Sequence, residues 1–296
     1  MIDRLAVIGV GLIGGSLARA LRVAGEVGEV VGCGRSAANL ETALELGVID
    51  RFSQDAAEAV RGADMVFIAI PLGAIRDTFI AIRDGLRDHA VVTDGGSVKG
   101  SVVADAAAAF GSIPSRLVPG HPIAGTERSG VDASFAELYR GRRVILTPLP
   151  ETDPDAIDKV THMWRICGAQ VTRMGVATHD EVLAATSHLP HMLAYGLVDT
   201  LARMRENDEI FRYAAGGFRD FTRIASSNPV MWRDICLANR EALGAMLRGF
   251  SDEMTDLADT IRRGDGEHLL EILQRAKDTR DRYVDGVGFG SGEALQ

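Results

Sequence analysis

The stretch Leu5-Ala6-Val7-Ile8-Gly9-Val10-Gly11-Leu12-Ile13-Gly14 decides the fold. Four apolar residues without a polar interruption read as a strand covered on both faces. Three glycines follow at the spacing G-x-G-x-x-G, and the run from Leu12 to Ala24 reads as the amphipathic helix they open. Gly9 makes the tight turn, Gly11 lets the backbone approach a pyrophosphate, and Gly14 lets helix and strand pack closely. Leu12 and Ile13 lie in the first helical turn, where unpaired N–H groups and the positive end of the helix dipole suit an anion. A merely structural turn is the alternative. The place between a strand and a helix is what marks Gly9, Gly11, Leu12, Ile13 and Gly14 as cofactor-binding.

Moving outward, further short apolar runs alternate with helical patterns. Val30–Val31, Met65–Ile70, Ala90–Thr93, Leu117–Val118, Arg143–Thr147 and Gln170–Arg173 read as strands. They predict an α/β fold with an N-terminal Rossmann-type, doubly wound, mostly parallel sheet. From about Val176 the texture becomes helical: Thr178–Met204, Trp232–Ile261 and Gly266–Tyr283 carry apolar residues at helical spacing. We expect a dinucleotide-binding domain over 1–174 and an all-helical substrate and dimerisation domain over 175–284. A frayed, glycine-punctuated tail is expected over 285–296. Long helices with several apolar faces predict a homodimer through the helical part.

In NAD-binding folds of this kind an acid stands about 20 residues past the last glycine and accepts the ribose hydroxyls. Here the position reads Gly32-Cys33-Gly34-Arg35-Ser36, with Arg35 21 residues past Gly14 and no carboxylate. The Arg35 guanidinium and the Ser36 hydroxyl suit a 2′-phosphate, so NADP is the expected cofactor, with NAD possible. The plainer reading makes Arg35 a solvated cation.

Composition narrows the class. The 296 residues suit two domains, and 46% hydrophobic with 25% charged residues is ordinary globular composition. A net charge of −9 argues against a nucleic-acid surface, which needs clustered Lys and Arg. No apolar run reaches the ~18 residues of a membrane span, and Met1-Ile2-Asp3-Arg4 does not read as a signal peptide. Cys33, Cys167 and Cys236 are odd in number and far apart, which suits a reducing cytoplasm rather than a disulfide scaffold. Cys33 reads as a small residue at a strand end rather than a reactive thiol.

Four blocks carry the chemistry: Thr93-Asp94-Gly95-Gly96-Ser97-Val98-Lys99-Gly100, Pro119-Gly120-His121-Pro122-Ile123-Ala124-Gly125-Thr126-Glu127, Thr186-Ser187-His188-Leu189-Pro190-His191, and Gly216-Gly217-Phe218-Arg219-Asp220-Phe221-Thr222-Arg223. Together they resemble the TyrA family of prephenate and arogenate dehydrogenases, over residues 4 to about 280. The resemblance implies oxidative decarboxylation of a ring dicarboxylate, with hydride passing to NAD(P)+, in tyrosine biosynthesis. It also implies a helical domain that dimerises.

His121, framed by Gly120 and Pro122, has the one side chain whose ordinary pKa lies near working pH. The resemblance implies that it takes the proton of the ring 4-hydroxyl, and that Ser97 hydrogen-bonds that hydroxyl or His121 itself. Arg223 resembles the arginine that holds a substrate carboxylate, and His191, Ser187, His188 and Thr126 are expected to line the same pocket. Lys99 reads as a solvated lysine, and Met231 and Trp232 read as core. His188 and His191 have a spacing that can ligate a metal, but no third ligand follows and the reaction needs no Lewis acid, so no metal is expected. Pro190 is expected to kink its helix. With the chain running from the first strand to a tail, no regulatory extension is expected. Two rivals stand beside this reading. One is another two-domain reductase of the β-hydroxyacid or imine type, which would place a lysine where His188 and His191 stand. The other is a non-catalytic NADP-sensing dimer.

Overall fold

The computed structural model describes residues 1–126, 128–205 and 207–285. Six strands form a wholly parallel sheet: β1 (Ile2–Ile8), β2 (Val27–Cys33), β3 (Arg51–Ser53), β4 (Met65–Ile68), β5 (Val91–Asp94) and β6 (Leu117–Val118). Their order is β3-β2-β1-β4-β5-β6. The chain winds outward from β1 to β3 and then crosses to β4 on the other side. A switch point therefore falls at the C-terminal ends of β1 and β4, where doubly wound sheets take their ligands.

The uninterrupted apolar strands have a simple cause. Successive side chains point to opposite faces, and both faces are buried. Leu5, Val7, Val30, Met65, Phe67 and Val91 enter one core, with Leu17 and Leu21 of α1 (Leu12–Val23) and Trp164 of α6 (Pro154–Ile166). Their neighbours Ala6, Ile8, Val31, Val66, Ile68 and Val92 enter a second core. There they meet α3 (Ala56–Val60), α4 (Ile75–Ile82) and α5 (Lys99–Phe110), while α2 (Ala37–Glu45) adds Leu40 to the first core.

The expected single sheet is in fact two. β7 (Gly120–Pro122) pairs antiparallel with β8 (Arg143–Leu146), which pairs parallel with β9 (Gln170–Arg173). Pro119 separates β6 from β7. It has no N–H to continue a ladder, so the chain leaves the parallel sheet there. β3 escaped the sequence reading because three half-exposed residues show no pattern.

The helical run expected over Thr178–Met204 is α7 (Val176–Leu183), a π-helical turn (Ala184–His188) and α8 (Leu189–Ala202). Pro190 lies inside a continuous helical path, because Leu183, His188 and Leu189 all keep helical backbone angles, and the place of its missing N–H is marked by the wider π-helical turn just before it. The Leu189 N–H reaches back to Ala184. After α9 (Asn207–Arg212) and α10 (Gly216–Thr222), the expected run Trp232–Ile261 breaks at Asn239 into α11 (Pro229–Ala238) and α12 (Arg240–Arg263). α13 (Gly266–Arg280) follows. Of the expected tail, Asp285 closes a short π-helical turn (Asp281–Asp285), and 286–296 lie outside the described residues.

Compactness does not divide the chain at 174/175. Residues Met1–Arg240 form one unit, and a second begins at Glu241. The cause is visible in α11, whose Trp232 and Ile235 belong to the second core of the parallel sheet. In the second unit, Met246, Met254 and Ile261 of α12 and Leu270 and Leu273 of α13 are exposed. Among the described residues, no helix is long and apolar enough to cross a membrane.

Candidate active site

The glycine turn is built from backbone. Gly9 has φ +98°, and a Cβ there would sit 2.2 Å from the Ala69 carbonyl oxygen. A Cβ on Gly14 would lie 2.2 Å from the Gly9 oxygen, so neither position accepts a side chain. Gly11 faces open space and is the N-cap of α1, with no side chain capping the helix. The first-turn N–H groups at Leu12 and Ile13 thus face a clear cradle, which fits a dinucleotide pyrophosphate. The Asn39 amide braces this loop by donating to the Val10 carbonyl at 2.7 Å and accepting from Val131 N at 3.2 Å.

At the end of β2, Arg35 is exposed and Ser36 caps α2 by accepting from Asn39 N at 3.2 Å. The Ser36 hydroxyl hydrogen stays available to an anion. Asp55 comes near enough for its charge to add to the burial that pushes the Cys33 thiol up to about 11. Its carboxylate, however, accepts the N–H groups of Ala57 and Glu58 at the start of α3. Cys33 is accordingly an inert, buried thiol.

His121, in β7, is buried, and its Nδ1 lies 2.9 Å from His179 Nε2. His179 Nδ1 lies 2.7 Å from Asp180 Oδ1, and Asp180 accepts the Lys99 and Gly100 N–H groups at 2.8 Å each. His121 Nε2 has no hydrogen-bond partner among the described residues. Burial above all, then the charges of Lys99, His179 and His188, hold His121 well below the usual histidine pKa, so it is neutral at pH 7.

Lys99 corrects the reading of a solvated lysine: its side chain is 0% exposed. Its ammonium pairs with Asp94 at the end of β5 and donates to the Gly120 carbonyl at 2.5 Å. Asp94 also accepts the N–H groups of Gly96 (2.8 Å) and Gly120 (3.1 Å). The ion pair therefore holds Gly120, the residue before His121, at both its N–H and its C=O. A lysine can be this deep because its charge is matched on the spot. Ser97 makes no side-chain hydrogen bond among the described residues, which leaves its hydroxyl open toward either expected partner, the substrate hydroxyl or His121.

The helical wall stands across from this network. His191 stacks on Trp232 (centroids 3.7 Å apart, 24° between planes), and its Nδ1 meets the Ser187 carbonyl at 2.9 Å. His188 is 1% exposed, lies edge-on to Trp232, and its Nδ1 meets the Asn239 amide at 3.1 Å. Burial pushes His188 down to about 4. Arg223, exposed at the end of α10, is near enough to His191 for its charge to add to the burial that lowers the imidazole pKa. Trp232 is buried as expected, but Met231 is 40% exposed and not core. Thr126 is exposed in the loop after β7, where its hydroxyl accepts from Arg128 N, and nothing ties it to the histidines. Its neighbour Glu127 lies outside the described residues.

Asp94, His179, Asp180 and Asn239 were missed from the sequence. The available signals were an aspartate ending an apolar strand and a His-Asp pair near a helix start, and both patterns are common in unrelated settings.

Two family models match. One, described as the nucleotide-binding domain of prephenate dehydrogenase, covers residues 17–173, and the other, its dimerization domain, covers 176–275. The cyclohexadienyl dehydrogenase of Zymomonas mobilis is 38% identical over 279 residues, covering 93% of this chain and 94% of that protein. Among solved structures, prephenate dehydrogenase from A. aeolicus in complex with hydroxyphenyl propionate and NAD+ superposes with a TM-score of 0.89. It is 38% identical, with 96% of this chain and 99% of that one covered. Synechocystis arogenate dehydrogenase gives a TM-score of 0.81 at 30% identity, over 95% and 100% of the two chains.

Proposed function

The chain belongs to the prephenate dehydrogenase family, and on that premise we propose that it oxidatively decarboxylates prephenate, arogenate or both, using NAD(P)+. The observation that carries this reading is His121: a neutral imidazole whose Nδ1 is engaged from behind and whose Nε2 is left unpartnered. That is the state a general base requires.

In the proposed reaction, His121 Nε2 accepts the proton of the ring 4-hydroxyl, which becomes a carbonyl as hydride leaves the same carbon. When bound at the glycine turn, the oxidised nicotinamide supplies the hydride acceptor. The new carbonyl is vinylogous to the ring carboxylate, so carbon dioxide departs and the ring becomes aromatic. Arg223 holds a substrate carboxylate with its forked guanidinium, and His191, fixed by Trp232 and the Ser187 carbonyl, contacts substrate beside it. Ser97 and Ser187 are assigned to the same pocket, Thr126 to its edge in the loop after β7, and His188, 1% exposed, to the layer that backs it. Metal plays no part in this scheme.

Arg35 and Ser36, in place of an acid, favour NADP over NAD. We also assign the substrate and dimerisation role to 175–284, with exposed apolar residues on α12 and α13 forming the contact between copies. A concentration-independent monomer mass by light scattering would refute that. The odd number of separated cysteines, all unpaired, supports a reducing cytoplasm.

The test crosses prephenate and arogenate with NADP+ and NAD+ and follows reduced nicotinamide. Turnover with at least one pair is expected. Absence of turnover with all four, in protein that binds a dinucleotide, overturns the proposal and favours the non-catalytic rival.

A further inference from the structure

We propose that His179 and Asp180 are positioning residues that set which nitrogen of His121 carries its hydrogen and accept the positive charge that His121 acquires in turnover. The inference rests on His121 being the base of the reaction proposed above.

The hydrogen-bond chain is anchored at Asp180. Burial would raise its carboxyl pKa, but the hydrogen bonds from His179 and from the Lys99 and Gly100 N–H groups outweigh it and hold the group ionised. An ionised carboxylate only accepts, so the hydrogen on His179 Nδ1 points at Asp180, 2.7 Å away. A neutral imidazole has one N–H, so His179 Nε2 carries a lone pair. Its neighbour at 2.9 Å, His121 Nδ1, must then donate, which leaves the lone pair of His121 on Nε2. A carboxylate one ring removed from the base thereby decides that the base is unprotonated where substrate meets it.

The same chain can move charge. As the substrate O–H bond breaks, His121 Nε2–H forms. His121 Nδ1–H can then break as His179 Nε2–H forms, so the positive charge comes to rest on His179 against Asp180. The proton returns through His121 Nε2 to solvent after product leaves, and no other reactant is needed. The groups facing His121 make this useful. Lys99 at the start of α5, His179 in α7 and His188 in the π-helical turn all oppose a charge on His121. Asp94, at the end of β5, is engaged by Lys99. Asp180, beyond His179, supplies the balancing anion.

The test reads the tautomer directly, by ring-nitrogen NMR of 15N-labelled protein, with His121 assigned from the spectrum of His121→Asn. In the wild type, His121 is expected to carry its hydrogen on Nδ1 and none on Nε2. In Asp180→Asn the amide N–H can donate to His179 Nδ1 and reverse the chain. The His121 hydrogen should move to Nε2 and kcat should fall by on the order of 100-fold or more, with KM within ~3-fold. The acidic limb of the kcat/KM profile should move to lower pH. His179→Gln keeps an acceptor for His121 Nδ1 and so keeps the tautomer, but it cannot take the charge; kcat should fall ~10-fold. Asp180→Glu should restore part of the loss. A merely structural role would lower stability or raise KM without moving the tautomer or the acidic limb.

A hydrogen on His121 Nε2 in the wild type overturns the proposal, and this reading stands even if Asp180→Asn does not fold. An Asp180→Asn enzyme with unchanged kcat and acidic limb overturns it as well. If His121→Asn itself turns over normally, the base assignment fails, and the ring-nitrogen spectrum still reports the tautomer separately.

Discussion

The glycine turn and the histidine network solve the same problem, presenting polar groups to a ligand, in opposite ways. The turn uses N–H groups that every residue has, within residues 9–14, and its side-chain requirement is an absence: Gly9 and Gly14 must have no Cβ. The network uses side chains from β5, α5, β7, α7 and the end of α11, gathering residues 94, 99, 121, 179, 180 and 239. A site made of backbone is local and leaves a periodic trace in the chain. A site made of paired side chains leaves none, because each partner is chosen by where the fold brings it.

The contrast predicts graded failures. The largest effect should come from the base itself. His121→Asn should lower kcat by ~100- to 10,000-fold with little change in substrate KM, as general base groups typically do; steady-state kinetics with near wild-type kcat would remove it from the chemistry. Next, Lys99→Met should leave Asp94 buried and uncompensated, lowering stability by ~3–5 kcal/mol. Denaturant unfolding that shows a change below ~1 kcal/mol would mean the Asp94 carboxylate is satisfied by the Gly96 and Gly120 N–H groups alone.

The exposed cations test the other side of the comparison, groups that act one at a time. Arg223→Ala should raise substrate KM by ~10- to 150-fold while changing kcat far less, since a carboxylate clamp acts mainly in the ground state. An unchanged KM would move the clamp to another cation. The smallest effect is expected at Arg35, which is exposed and, among the described residues, makes no side-chain pair with Ser36 or Asp55. Arg35→Ala should reduce kcat/KM for NADP+ by ~10-fold and leave NAD+ nearly untouched. A wild type that already prefers NAD+ would show that the absent acid is replaced from elsewhere.

The two histidines of the helical wall show where local reasoning reached its end. Their spacing of three does bring both to Trp232, at the junction of the π-helical turn Ala184–His188 with α8, but it says nothing of how each ring sits there. His191 lies flat on Trp232, while His188 turns its edge to the same ring and bonds to Asn239. Lys99 shows the same limit. Nothing adjacent to it in the chain distinguishes a lysine in water from one sealed against Asp94 and Gly120.

Periodicity alone was enough for the parallel sheet, the order of strand and helix, the nucleotide turn and the change to helices near Val176. These depend on repeating local rules: alternation of side chains across a strand, 3.6 residues per helical turn, and glycine where a Cβ cannot fit. The four chemical motifs pointed to the family and to His121, His191 and Arg223. Tertiary structure alone decided that β7–β9 form a sheet of their own, that α11 packs into the core of the parallel sheet, and that His179 and Asp180 stand behind His121. These depend on contacts far apart in the chain, from Pro122 against Val144 in β7 and β8 to Lys99 against Asp180, 81 residues on, where the energy of one hydrogen bond or buried pair reflects geometry and not sequence spacing.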